Sequence, residues 1–85
     1  MKRLVVCKFG GSSLADAARF RRVAEILRRN PARKYIVVSA PGARFPGDAK
    51  LTDRLLRAQL SPGWAREREW AQVCARFREI ARGLG

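Results

Sequence analysis

Apolar residues fall along this chain in two short unbroken runs and three longer stretches with a helical repeat. Leu4, Val5, Val6 and Cys7, continued by Lys8 and Phe9, form the first run. Its length and β-branched content predict a strand over about 3–9. Tyr35-Ile36-Val37-Val38-Ser39-Ala40 forms the second, predicting a strand over about 35–40. Neither run alternates with polar residues, which is the mark of strands covered on both faces, as in a parallel sheet. Between them Phe20, Val23, Ala24 and Leu27 recur at i, i+3, i+4 and i+7 and predict a helix over about 15–29. Ser13 and Asp16 have capping-box spacing at its start, and Asn30-Pro31 stops it.

A loop over 41–51 holds Pro41, Gly42, Pro46 and Gly47. Beyond it Leu55, Leu56 and Leu60 give the apolar side of a short helix over about 52–60. Trp70, Val73, Cys74, Phe77, Ile80, Ala81 and Leu84 give that of a longer helix over about 62–83. Ser61-Pro62 supplies a start signal for the second, and Gly83 and Gly85 supply a stop. Strand, helix, strand makes a βαβ unit, whose strands run parallel, so Phe9-Gly10 and Ser39-Ala40 share the ligand-binding end of the sheet. Two parallel strands apolar on both faces leave open edges. The predicted object is α/β and incomplete.

Charge complicates the picture. Nineteen basic residues against seven acidic give a net charge of +12, a balance that points to nucleic acid or an anionic surface. However, no basic run exceeds two residues, and most are arginines interrupted by Asp16, Glu25, Glu67, Glu69 and Glu79 on the outer faces of predicted helices. This pattern argues against a nucleic-acid partner. With no histidine and two cysteines, Cys7 and Cys74, the chain lacks the ligand set of a zinc site. The cysteines occupy apolar positions of predicted elements, which suits reduced, buried thiols. No stretch has the length of a membrane span or a signal-peptide core, so the expectation is a soluble, cytoplasmic protein.

The segment Lys8-Phe9-Gly10-Gly11-Ser12-Ser13 lies at the first strand-to-helix turn. Glycines admit a ligand close to the backbone or supply positive φ. A helix start offers free N–H groups, and a lysine adds full charge beside them. These are the elements of a phosphate cradle, although the spacing is neither that of a P-loop nor that of a dinucleotide fingerprint. Local physics leaves open a plain tight turn with Lys8 ending its strand in solvent.

Val5-Val6-Cys7-Lys8-Phe9-Gly10-Gly11-Ser12-Ser13-Leu14-Ala15 resembles the aspartate kinase signature V-x-K-F-G-G-[ST]-S-[LV]-A. Ile36-Val37-Val38-Ser39-Ala40, here followed by Pro41-Gly42, resembles that family's V-V-x-S-A. Lys50-Leu51-Thr52-Asp53 and the helix around Arg76-Phe77-Arg78-Glu79-Ile80 resemble a bacterial branch of it. The resemblance implies the N-terminal part, over 1–85, of an amino acid kinase (carbamate kinase-like) domain, an incomplete three-layer sandwich. It implies phosphoryl transfer from ATP, with Mg2+, to L-aspartate. By the same resemblance Lys8 contacts the transferring group, and Lys8, Phe9, Gly10, Gly11, Ser12 and Ser13 bind the phosphates. Ser39 and Thr52 then lie at the aspartate, with Thr52 also readable as a helix cap. The remaining substrate and adenine contacts would come from parts of the family domain absent here. The expected partner is the remainder of the kinase or a second copy, and the chain alone is expected to be inactive.

Overall fold

The computed structural model describes residues 3–85, and two parallel strands organise it. β1 (Val5–Phe9) pairs with β2 (Arg33–Val38) in a two-stranded sheet, Cys7 opposite Ile36 and Phe9 opposite Val38. The helix α1 (Ala17–Arg28) makes the crossover. Two further helices follow, α2 (Leu51–Leu60) and α3 (Gly63–Leu84). β2 starts and ends two residues earlier than the apolar run suggests, so Ser39 and Ala40 lie just past its carboxyl end.

Side-chain exposure along the sheet is informative. On β1, Val5, Cys7 and Phe9 are half-buried while Val6 and Lys8 are exposed, and on β2 every residue from Lys34 to Val38 is exposed. The two-sided cover expected from the unbroken apolar runs is therefore not supplied by these helices. Tyr35, Ile36, Val37 and Val38 make β2 an apolar strip exposed on both faces. The molecule is also drawn out to 56 × 24 × 22 Å, with a radius of gyration of 15.6 Å. A compact chain of this length would have about 12 Å.

α2 and α3 form an αα-hairpin turned at Ser61-Pro62. Arg54 pairs with Glu69 at 3.3 Å and the Arg66 Nε–H donates to the Ala58 carbonyl at 3.1 Å, the register of antiparallel helices. Pro62 is the N-cap residue and Gly85, at φ +102°, the C-cap. Burial on these helices departs from the apolar stripes. Leu55, Leu56 and Leu60 are exposed, as are Trp64, Trp70 and Phe77. The buried positions are Leu51 and Ala58 on α2, and on α3 Val73 and Ile80 of the expected stripe together with Arg76. On α1 only Val23 is fully buried. The C-terminal end of α3 crosses α1 closely, since a Cβ on Gly83 would lie 2.5 Å from the Ala17 Cβ. Arg21 of α1 donates to the Gly83 carbonyl at the same crossing. Among the described residues no helix is long and apolar enough to cross a membrane.

Candidate functional site

The carboxyl ends of the two parallel strands carry the candidate site, where open α/β sheets take their ligands. β1 does not pass directly into α1. Gly11–Leu14 form a single 3-10 turn, anchored by Leu14 and Ala15, both buried. The cap of α1 consequently moves from Ser13 to Asp16, whose Oδ1 accepts the Arg19 N–H at 2.9 Å. With a carboxylate already on that helix end, the positive end of its dipole is answered within the chain. Ser13 instead gives its backbone N–H to the Gly10 carbonyl at 3.1 Å. The first N–H groups of the 3-10 turn, those of Gly11 and Ser12, precede its first internal bond and are the donors left for a ligand.

Neither glycine is demanded by φ, and only Gly11 is demanded by space. Gly10 has φ −74°, open to any residue, and neither glycine has positive φ. A Cβ on Gly10 would meet nothing within 4 Å. Gly11 faces the loop after β2, where a Cβ would lie 3.0 Å from the Ala40 carbonyl oxygen and 3.3 Å from the Gly42 Cα. Gly42 reciprocates by donating its N–H to the Gly11 carbonyl at 2.8 Å. The Ser39 N–H continues the ladder to the Phe9 carbonyl at 3.1 Å, and the Leu51 N–H reaches the Pro41 carbonyl at 3.3 Å. Three segments are thereby laced side by side.

They enclose an open cavity of about 430 Å³ lined by Gly11, Ser12, Ser39, Gly42, Lys50 and Thr52, with Ala40, Pro41 and Ala43 between them. Of the residues proposed from the sequence, Gly11, Ser12, Ser39 and Thr52 meet here, although they lie up to 41 positions apart. Lys8, Phe9, Gly10 and Ser13 do not line it. Lys8 projects from the exposed face of β1 and forms no ion pair among the described residues, and Phe9 is half-buried on the opposite face. Thr52 is the second residue of α2 and not its cap, a position held by Lys50 without a side-chain bond. Cys7 and Cys74 are free and half-buried, where full burial was expected. Lys50 is an exposed cation on the cavity wall that the pattern of the sequence did not single out.

Behind the cavity lies a charged cluster that the sequence reading also passed over. Arg76, 4% exposed, donates from Nη2 to the carbonyls of Ala15 and Gly42, both at 2.9 Å. From Nη1 it reaches the Ala49 carbonyl at 3.3 Å and Asp48 Oδ2 at 3.4 Å. Arg44 grips Asp48 from the other side, Nε at 2.8 Å and Nη2 at 3.0 Å, and pairs with Glu79 at 2.9 Å. Side-chain and backbone hydrogen bonds from Arg44 hold the Asp48 carboxyl far below the usual carboxylate range, with Arg76 adding to them. The Asp48 bond in turn raises Arg44, while burial pulls the Arg76 guanidinium below its ordinary value. A signal was available: Val73, Arg76 and Ile80 stand at i, i+3 and i+7, so the arginine occupies a core position of α3.

The description "Amino acid kinase family" belongs to a family model that matches residues 3–81. The chain belongs to the amino acid kinase family. Aspartokinase 3 of Bacillus subtilis is 53% identical over 51 residues, which is 60% of this amino acid kinase chain and 11% of that protein. A crystal structure of the Clostridium acetobutylicum aspartate kinase superposes with a TM-score of 0.86 at 37% identity, over 98% of this chain. The family chain spans about one fifth of that structure's length.

Proposed function

We propose that this chain is the N-terminal, phosphate-gripping part of an aspartate kinase, transferring the γ-phosphoryl of ATP to the β-carboxylate of L-aspartate to give 4-phospho-L-aspartate and ADP. The observation that carries the proposal is the cavity at the strand ends, where Gly11 and Ser12 face Ser39 and Thr52. The names of both relatives support the choice of substrate.

In this reading the backbone N–H groups of Gly11 and Ser12 and the hydroxyls of Ser12 and Ser13 bind phosphate oxygens. Phe9 packs beneath the turn, and the bare Cα of Gly10 leaves the terminal phosphate room to approach. Lys8 swings its ammonium to the transferring group. Ser39 and Thr52 orient the aspartate. A carboxylate is nucleophilic without losing a proton, so alignment and charge neutralisation carry the catalysis. ATP used by kinases carries Mg2+. Among the described residues no three potential ligands could share a metal ion, and Asp48 is committed to two arginines. No step by these residues therefore runs through the metal.

The apolar strip on β2 and the open sheet edges suit a chain that completes its fold against the remainder of a kinase domain, which would bring the adenine site and further aspartate contacts. Alone the chain is inactive in this reading. The complete kinase would act in the cytoplasm, at the entry to lysine, threonine and methionine synthesis.

The test is Lys8→Ala in a chain joined to the remaining domain of a relative. Turnover should drop by about 100-fold or more, the scale of losing one donor to transition-state charge. Near-normal turnover would remove Lys8 from the reaction.

A further inference from the structure

We propose that Arg76 is the positioning residue of the cavity, one buried guanidinium on α3 that pins three loop segments forming its walls without lining it. The proposal deepens the phosphate-site reading and rests on it for its functional consequence. Ala15 closes the 3-10 turn that presents Gly11 and Ser12. Gly42 belongs to the segment after β2 that carries Ser39, and Ala49 precedes Lys50 and Thr52. Arg76 bonds the carbonyl of each. These are otherwise separate stretches, the farthest lying 61 positions from Arg76 in sequence.

The residue type suits the task. A guanidinium spreads five N–H donors in a rigid plane and can serve diverging carbonyls at once. An ammonium is a single point and reaches fewer of them. Asp48, itself 5% exposed, neutralises the buried charge, and Arg44 and Glu79 fix Asp48 and the loop around it. The Nε–H of Arg76 has no partner among the described residues, so the side chain is held by its two terminal nitrogens alone. With the guanidinium gone, the buried carbonyls of Ala15 and Gly42, the half-buried carbonyl of Ala49 and a carboxylate lose a donor together. The two bonds lacing the walls, Gly42 N–H to Gly11 and Leu51 N–H to Pro41, then have nothing behind them.

The experiment is amide hydrogen exchange by NMR on the 85-residue chain, wild type against Arg76→Met and Arg76→Lys, with a parallel ADP titration of the same variants in a chain joined to the remaining domain of a relative. Arg76→Met should speed exchange at Gly42 and Leu51 by about tenfold or more, while Val73 and the Ser39 ladder amide change far less. Arg76→Lys should fall between. If Arg76→Met does not fold by circular dichroism, Arg76→Lys carries the same comparison. Uniform acceleration at all four amides, or none at Gly42 and Leu51, would overturn the pin. In the titration, folded Arg76→Met should bind ADP about tenfold more weakly. Unchanged ADP affinity with loosened walls would overturn the functional half. A wild-type joined chain that binds no ADP counts against the phosphate-site reading instead, and the exchange contrast still decides Arg76.

Discussion

Replacing Gly42 and Gly10 by alanine should separate folding from binding at this turn. A methyl group on Gly42 would lie 2.7 Å from the Gly11 carbonyl carbon, 2.9 Å from its oxygen and 3.0 Å from the Ser12 nitrogen. All three are backbone atoms, so no rotamer change relieves the contact, and the two loops must part. Overpacking of this kind costs roughly 1–3 kcal/mol. Parting the loops also weakens the 2.8 Å bond from the Gly42 N–H to the Gly11 carbonyl, a further loss of about 1 kcal/mol. The total is about 2–4 kcal/mol, a melting shift on the order of 10–30 °C for a chain of this size. Gly10→Ala meets open space at an ordinary φ. It should melt at or slightly above the wild type, because alanine narrows the unfolded ensemble, while under the proposed phosphate role of Gly10 its methyl group should weaken ADP binding. Circular dichroism melts of the two variants, and ADP titrations of each joined to the remaining domain of a relative, make the assay. Should Gly42→Ala melt within 2 °C of the wild type, or Gly10→Ala bind ADP unchanged while folded, the role given to that glycine fails.

Other outcomes follow from burial and charge. Because the folded carboxyl of Asp48 is depressed, the unfolded chain binds the extra proton as pH falls below the usual carboxylate value near 4, so acid should unfold the protein progressively there. Asp48→Asn should flatten that part of the stability-against-pH curve; an unchanged slope would assign the acid lability to other carboxylates. Leu51, fully buried, should cost about 2–5 kcal/mol as alanine. Leu60, 77% exposed, should cost about 0.5 kcal/mol or less in the same denaturant titration.

Much of the backbone was legible because it follows from local pattern. The unbroken apolar runs around Val5 and Val37 marked parallel strands, and the i, i+3, i+4 repeats marked three helices. What pattern does not contain is the identity of the covering surface. Leu55, Leu56, Trp70 and Phe77 have the spacing of core residues and are nevertheless exposed, since the helices they belong to face too little of this chain. For the same reason the sheet is half-covered rather than sandwiched. At the site, the glycine-serine signature located the turn, but its 3-10 geometry follows from Leu14 and Ala15 being buried, a tertiary fact. Arginine at a helical core position normally reads as a surface residue. Only the convergence of Ala15, Gly42, Ala49 and Asp48 on Arg76 gives it a buried set of acceptors.

The position of Arg76 in the sequence, after every segment that it bonds, has a consequence for how these segments mature during synthesis. The strands and their crossover are complete by Val38, well before α3 emerges. The glycine turn and its facing loop can therefore touch before α3 is made, while their fastening waits for that helix to dock. With Arg76 as the pin, order at the strand ends follows the arrival of one side chain rather than the pairing of the strands.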